Sequence, residues 1–425
     1  MQVFRAQDVE PLSDHEARQF LRHAARVRSL HILDEDSEYF HLLTAIPTET
    51  CQFQRLLALE YSVDGTIRHL PFFLSITLRR CVLSVVHPDL KYCYGLESLS
   101  LWGSTDSADE PSLLSKTICS CKSLKHLRCP LLDSTGWNHL SNLPTLVTLR
   151  IYGWRYEVQL DWDNLNVAPF VNVATLQFNV YSAADVIKLI QHSEFPSLEE
   201  FSLCTRVLPW VEAEQLFRAL SQCRACETLE CIYISSSSSH PGHEKHSLTA
   251  IRQFICFSQL RALRLSVHGS IYLDNDLLLD AMSSWPHIRS LKLADTRVNP
   301  PAITFRGLFA ALRLCPNLLN LQIYLDAVNI DIDPEAELFQ HTSLRELDIC
   351  NSNVEDPKAV AYIIFSMFPC ISSIISPLSS NRRISAWDEV KKELKSLRSS
   401  VMVQQGKDLC SGYTRARVLP WDASA

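Results

Sequence analysis

The stretch Trp285-Pro286-His287-Ile288-Arg289-Ser290-Leu291-Lys292-Leu293 decides how this chain is read. It continues through a polar turn into an apolar segment, Ile303 to Leu314, and then begins again as Cys315-Pro316-Asn317-Leu318-Leu319-Asn320-Leu321-Gln322-Ile323. Within each copy the Leu-x-x-Leu-x-Leu segment alternates apolar and polar residues, which predicts a strand with one buried face. After the turn, Ile303, Leu308, Phe309, Leu312 and Leu314 fall at roughly helical spacing, which predicts a helix with one apolar stripe. Neither element can bury that surface alone, so the copies must stack.

The same hexad begins at Val27, Leu56, Leu78, Leu96, Leu124, Leu146, Val173, Leu198, Cys226, Leu260, Ile288, Leu318, Leu344 and Ile371. Successive starts are 18 to 34 residues apart and average about 26, the range of leucine-rich repeats. Pro144, Pro196, Pro286, Pro316 and Pro369 each stand two residues ahead of a start, where proline ends the preceding helix. The expected fold is an α/β leucine-rich-repeat solenoid, a horseshoe with parallel strands on the concave face and helices on the convex face. Residues 1–26 form an N-terminal capping helix, 27–376 carry about fourteen repeats, and 377–425 form a C-terminal capping helix and a loose tail.

Local signals fill in that plan. Ser13 with Glu16 makes a capping box, opening a first helix with Phe20, Leu21, Ala24 and Ala25 on one face. Connections between residues 51 and 101 are too short for regular helices. Between Leu124 and Leu165 the loops carry Trp137, Trp154 and Trp162. Helices are expected from Ala183 to Ile190, Glu212 to Leu220, Leu277 to Met282, Ile303 to Leu314 and Lys358 to Phe368, with a last one over about 386–398 built on Trp387, Val390, Leu394 and Leu397. Ser235 to Ser239 and the following His240-Pro241-Gly242-His243 read as a solvated loop.

Composition excludes several classes. A net charge of −7 gives no general attraction to nucleic acid or anionic membrane. The longest apolar run, Ala359 to Phe368, is too short to cross a bilayer. Fifteen cysteines spread through a large chain, many at core positions, suit a reduced cytoplasmic or nuclear setting. Ten glycines supply no phosphate-binding loop, and the zinc-protease and serine-hydrolase signatures are absent, so no catalytic site and no cofactor is expected. Cys223 and Cys226 with His240 and His246 formally fit a zinc spacing. The repeat register instead makes Cys226 the first apolar position of its hexad and Cys223 a helix-end residue, so no metal is expected.

Function is therefore sought on the strand face. The residue between the second and third apolar positions points into the hollow, giving the column His31, Glu60, Val82, Ser100, Arg128, Arg150, Gln177, Ser202, Glu230, Arg264, Lys292, Gln322 and Asp348. A flanking column adds Trp102, Tyr152 and Tyr324. Arg128 and Arg150, on neighbouring strands about 5 Å apart, join Trp102 and Tyr152 in a basic-aromatic patch suited to an acidic or phosphorylated peptide. Arg264 and Lys292 form a second basic pair.

The ends carry a resemblance. Pro11-Leu12-Ser13-Asp14-His15-Glu16, Phe20-Leu21 and Ala25-Arg26-Val27-Arg28-Ser29-Leu30, with Phe368-Pro369-Cys370-Ile371-Ser372-Ser373-Ile374 and Trp387-Asp388-Glu389-Val390, resemble the F-box-like leucine-rich-repeat proteins of mushroom-forming fungi. That resemblance implies the substrate-recognition part of an F-box-type, SCF-like ubiquitin ligase receptor. The repeats would hold a protein substrate, and a Skp-type adaptor would be held only through an F-box. The F-box itself should precede residue 10, where there is no room for it, so none of its residues is carried over. The alternative is a binding scaffold with no ligase link. Either way a monomer is expected.

Overall fold

A computed structural model describes residues 12–33, 53–62, 70–102, 110–153, 168–237, 247–248, 250–267, 270–294, 301–349, 352–375 and 386–414. The chain divides into two compact units, Met1–His240 and Pro241–Ala425. The first unit carries nine strands: β1 (Ser29–Ile32), β2 (Ala58–Tyr61), β3 (Arg80–Leu83), β4 (Ser98–Leu101), β5 (His126–Pro130), β6 (Thr148–Gly153), β7 (Thr175–Val180), β8 (Glu200–Thr205) and β9 (Cys231–Ser236). Each pairs in parallel with its sequence neighbour. In the second unit β10 (Ser247–Leu248) pairs with β12 (Ser270–Ile271). There β11 (Ala262–Ser266), β13 (Ser290–Ala294), β14 (Asn320–Gln322), β15 (Glu346–Asp348) and β16 (Ser373–Ile375) follow one another as a parallel series.

Repeat is locked to repeat through the main chain. The carbonyl of Arg28 accepts from the amides of both Leu57 and Ala58, and Leu57 O does the same for Arg79 and Arg80. The fork recurs from Arg79 through Lys125, Val147, Ala174 and Glu199, and in the second unit at Arg261, Arg289, Leu319 and Arg345. Side chains add a second ladder just ahead of the hexads. Thr77, Thr145 and Thr228 donate their hydroxyls to Leu56 O, Leu124 O and Leu198 O of the preceding repeat. These bonds satisfy backbone groups that a parallel strand and its turn would otherwise bury unpaired.

The prolines ahead of the hexads do more than end helices. The amides of Leu146, Leu198, Ile288, Leu318 and Ile371 donate to the carbonyls of Leu143, Phe195, Trp285, Cys315 and Phe368. Pro144, Pro196, Pro286, Pro316 and Pro369 are thus the second residue of a tight turn, whose φ proline fixes in advance. The first residue of each turn is buried, and this column is rich in Phe, Trp and Cys; Phe170 and Phe195, for example, stack at 5.0 Å. His341 occupies the same place in its repeat. It donates from Nε2 to Cys315 O at 2.9 Å and accepts from the Leu344 amide at Nδ1, 3.1 Å, closing the turn with its ring.

Helices pack behind the strands with capped starts. In α1 (Asp14–Ala24), the Ser13 hydroxyl accepts from Glu16 N while the Glu16 carboxylate accepts from Ser13 N at 2.9 Å, completing the expected box. The expected absence of helices around 51–101 becomes two 3-10 turns, Leu70–Phe72 and Pro88–Tyr92. Two helices follow, α2 (Glu110–Ser120) and α3 (Ser134–Ser141). Trp137, expected in a loop, lies on α3 and is buried, whereas Trp154 and Trp162 lie outside the described residues. Five later helices extend the expected spans by a turn or less or trim them: α4 (Ala184–His192), α5 (Trp210–Gln222), α7 (Asn275–Ser284), α8 (Phe305–Leu312) and α9 (Pro357–Met367), while the short α6 (Ala250–Phe254) was not expected. The last, α10, runs Ala386–Thr414, past the end its apolar spacing marked. Trp387 of α10 is buried and donates its indole N–H to Ser352 O at 2.7 Å.

Twelve of the fourteen expected hexad starts are buried; Val27 and Cys226 are partly exposed. Cys226 is a register error. A 3-10 turn, Arg224–Glu227, takes up that cysteine, and the buried hexad is Leu229/Ile232/Ile234, three residues later. The neighbouring spacings, 28 and 34 with Cys226 as the start, become 31 and 31. Ser202 pairs with Tyr233, so Tyr233 and not Glu230 occupies the column on this strand. Ser235 and Ser236, expected in a loop, extend β9; residues 238–246 lie outside the described residues.

Candidate functional site

With the register in hand, the outward residues of the first unit can be placed strand by strand. The column runs His31, Glu60, Val82, Ser100, Arg128, Arg150, Gln177, Ser202 and Tyr233, each the register partner of the next. On β4 to β7 the intervening residues Leu99, Leu101, Leu127, Cys129, Leu149, Ile151, Leu176 and Phe178 are at most 1% exposed. This strict alternation forces Arg128 and Arg150 onto the same face, side by side.

Trp102 follows β4 two residues after the column position, and it is 52% exposed. A large indole left in water on a sheet needs a reason, and its neighbour supplies one. The Arg128 guanidinium carbon lies 3.3 Å from the centre of the Trp102 ring and 5.7 Å from that of Tyr152. Stacking of this kind contributes roughly 0.5–2 kcal/mol, more as water is excluded. Partial desolvation draws the Arg128 pKa below its usual value; Tyr152 opposes the shift and Arg150 adds to it. A guanidinium remains charged regardless.

Arg128 and Arg150 border a hollow of about 750 Å³. Its wall also includes Arg80 and His126, which the column-by-column reading missed because they sit two residues before the central position. They could have been found by reading all outward positions of each strand rather than one. The floor consists of small residues, Val82, Ser84, Ser98 and Ser100, and these make the depression. His126 Nδ1 lies 3.1 Å from Thr148 Oγ1 across the β5–β6 pair. At one end Glu60 is engaged by His31, Nε2 to Oε1 2.9 Å, with both side chains substantially exposed.

The second basic pair differs from expectation. Arg264 and Lys292 are register partners on β11 and β13. Lys292, however, reaches over β14 to Glu346 of β15, Nζ to Oε1 3.3 Å, and Asn320 donates to the same carboxylate. Its charge is therefore matched within the sheet, and only Arg264 remains as an exposed cation of that pair. Tyr324 lies just beyond β14 in the second unit and is half-buried. The four residues of the first patch come together; Arg264, Lys292 and Tyr324 belong to a different unit.

Among the described residues no cysteine is joined in a disulfide. At Cys121 and Cys315 burial pushes the thiol pKa up, to about 11 and about 12, so these two behave as small apolar groups. Cys223 is buried at the end of α5, and His240 and His246 of the formal zinc spacing lie outside the described residues. Among the described residues no helix is long and apolar enough to cross a membrane.

Strand, proline turn and helix, repeated and joined by forked main-chain bonds, define an α/β leucine-rich-repeat solenoid. No family model matches the sequence, and no curated protein matches it. Solved structures similar to it include an internalin of Listeria monocytogenes, 11% identical with a TM-score of 0.42, covering 85% of this chain and 89% of that one. A leucine-rich-repeat protein of Leptospira interrogans is 13% identical with a TM-score of 0.40, covering 90% and 92%. The ectodomain of the Arabidopsis thaliana membrane receptor kinase GASSHO1, solved in complex with CASPARIAN STRIP INTEGRITY FACTOR 2, is 12% identical with a TM-score of 0.29, covering 77% of this chain and 48% of that one.

Proposed function

We propose that this chain is a protein-binding module whose exposed strand face captures its partner through Trp102, Arg128, Arg150 and Tyr152. One observation carries this reading: an arginine stacked on a solvent-exposed tryptophan beside a second, outward arginine, over a serine-floored hollow. Trp, Tyr and Arg are the residues that dominate binding energy at protein interfaces. Arg264 and Tyr324 are secondary contacts on the other unit. A catalytic reading is weaker. The one His–carboxylate pair at the hollow, His31–Glu60, is open to water, and among the described residues no hydroxyl or thiol nucleophile is hydrogen-bonded to it.

The finer role we assign is substrate recognition for an SCF-like ubiquitin ligase, acting in the cytoplasm or nucleus. Its support is the resemblance of the chain ends to the F-box-like family, together with a sheet face free to hold a protein. The alternative is a scaffold without that link. Affinity purification from the native organism with mass spectrometry separates them: recovery of a Skp-type adaptor supports the ligase role, and its absence favours the scaffold. The binding site is tested by Arg128→Glu with Arg150→Glu, which should abolish partner capture while shifting stability by no more than about 0.5 kcal/mol. Capture that survives both reversals would leave the patch as a merely wetted surface.

A further inference from the structure

The hollow raises a narrower question, which rests on the reading just given: what chemistry does the captured segment present? A central-column charge can be matched within the sheet, as Lys292 is by Glu346 at 3.3 Å, whereas Arg264 stands exposed. At one end of the hollow Glu60 is engaged by His31 at 2.9 Å. Arg80, Arg128 and Arg150 project from three strands, β3, β5 and β6, and among the described residues none has a carboxylate partner. Arg128 and Arg150 are direct register partners, so two like charges sit one strand spacing apart. Such an arrangement is unfavourable until an anion enters it.

Between Arg80 and Arg128 runs β4, which offers only the hydroxyls of Ser98 and Ser100 where a larger side chain would fill the space. Stacking on Trp102 occupies one face of the Arg128 guanidinium and leaves its N–H edge for a ligand. A single carboxylate has two oxygens and one charge, and one guanidinium fork satisfies it. A phosphate monoester has three terminal oxygens and nearly two charges, which matches three forks on separate strands with serine hydroxyls beneath. From this geometry we infer that the hollow is a receptor for a phosphorylated serine or threonine in an extended segment of the protein partner. Arg80, Arg128 and Arg150 hold the phosphate oxygens, and Trp102 and Tyr152 flank the residues beside it.

The test uses the full chain immobilised and three degenerate peptide libraries, with phosphothreonine, threonine or aspartate fixed at the centre. The phosphothreonine library should be retained at least about tenfold more strongly than the aspartate one, as expected for a doubly charged, multiply forked anion. Inorganic phosphate should compete. Arg80→Ala and Arg150→Lys should each bring retention down towards the aspartate level. Arg150→Lys preserves the charge and is a mild surface change, and unchanged melting temperatures confirm that both variants remain folded. Equal retention of the aspartate and phosphothreonine libraries overturns the inference, as does retention of neither. If in those cases the Arg128→Glu, Arg150→Glu chain still loses its partner, the binding site stands without the phosphate; if it keeps its partner, both readings fall.

Discussion

At the scale of single residues, His341 is a tightly held polar group. It is 2% exposed, and both ring nitrogens are committed: Nδ1 receives the Leu344 N–H, so Nε2 must carry the hydrogen that reaches Cys315 O. Where other repeats close the turn with a main-chain bond, this one uses an imidazole. His341→Ala would leave a buried amide and a buried carbonyl unpaired and open a cavity, so urea denaturation should show a loss of about 1–3 kcal/mol. A change below roughly 0.5 kcal/mol, the range of ordinary surface substitutions, would mean that water or main chain replaces the ring. The sequence pattern gave no warning of this, because histidine fits neither an apolar core position nor a proline turn. Of the serines of the hollow, Ser100 was read as an outward position but Ser84 and Ser98 were not, for the opposite reason: they are unremarkable singly and matter only as a set of small neighbours of Arg128.

At the scale of elements, helix starts follow one capping chemistry, of which only the Ser13–Glu16 box was read in advance. Ser13, Asp133, Asp274, Thr304 and Asp356 each accept an amide two or three residues ahead, as capping chemistry requires. Asp274 has a further role. It accepts from the Tyr272 hydroxyl at 2.6 Å and from the Leu277 amide at 2.8 Å, and these bonds, the tyrosine's first, hold its carboxyl below the usual aspartate range. A carboxyl whose folded pKa is depressed stabilises the fold above its ordinary value and ceases to do so as pH falls through the folded one. The gap between wild type and Asp274→Ala, about 1 kcal/mol for a helix cap, should therefore be full at pH 7 and shrink below about pH 4; denaturant titrations across that range check it. Strand register was less secure. Cys226/Leu229/Cys231 and Leu229/Ile232/Ile234 both satisfy the apolar template, and hydrophobicity alone cannot choose between them. Thr228 could have done so, since Thr77 and Thr145 likewise stand one residue before a hexad and donate back to the previous repeat.

At the scale of the molecule, each unit buries a continuous row of leucines, and stability in such arrays is close to a sum over neighbouring repeats. Leu291, fully buried on β13, should cost roughly 2–5 kcal/mol when replaced by alanine. Arg264→Ala, outward on the adjacent strand, should stay within about 0.5 kcal/mol. Comparable losses in both variants, read from urea midpoints, would contradict the assignment of inner and outer faces. That assignment was readable in advance because the strand period is two and the apolar positions obey it through nearly every repeat. The pairing of Lys292 was not, since Glu346 is two strands away in space and more than fifty residues away in sequence.

The forked carbonyl at the foot of each strand has a consequence for how such a wall can change. It fixes the pitch between rungs with peptide groups, so most outward side chains, unlike the bridging Lys292 and Glu346, are not what sets it. Those positions form a surface that can be rewritten residue by residue, by selection or by design, while the ruler beneath it keeps its divisions.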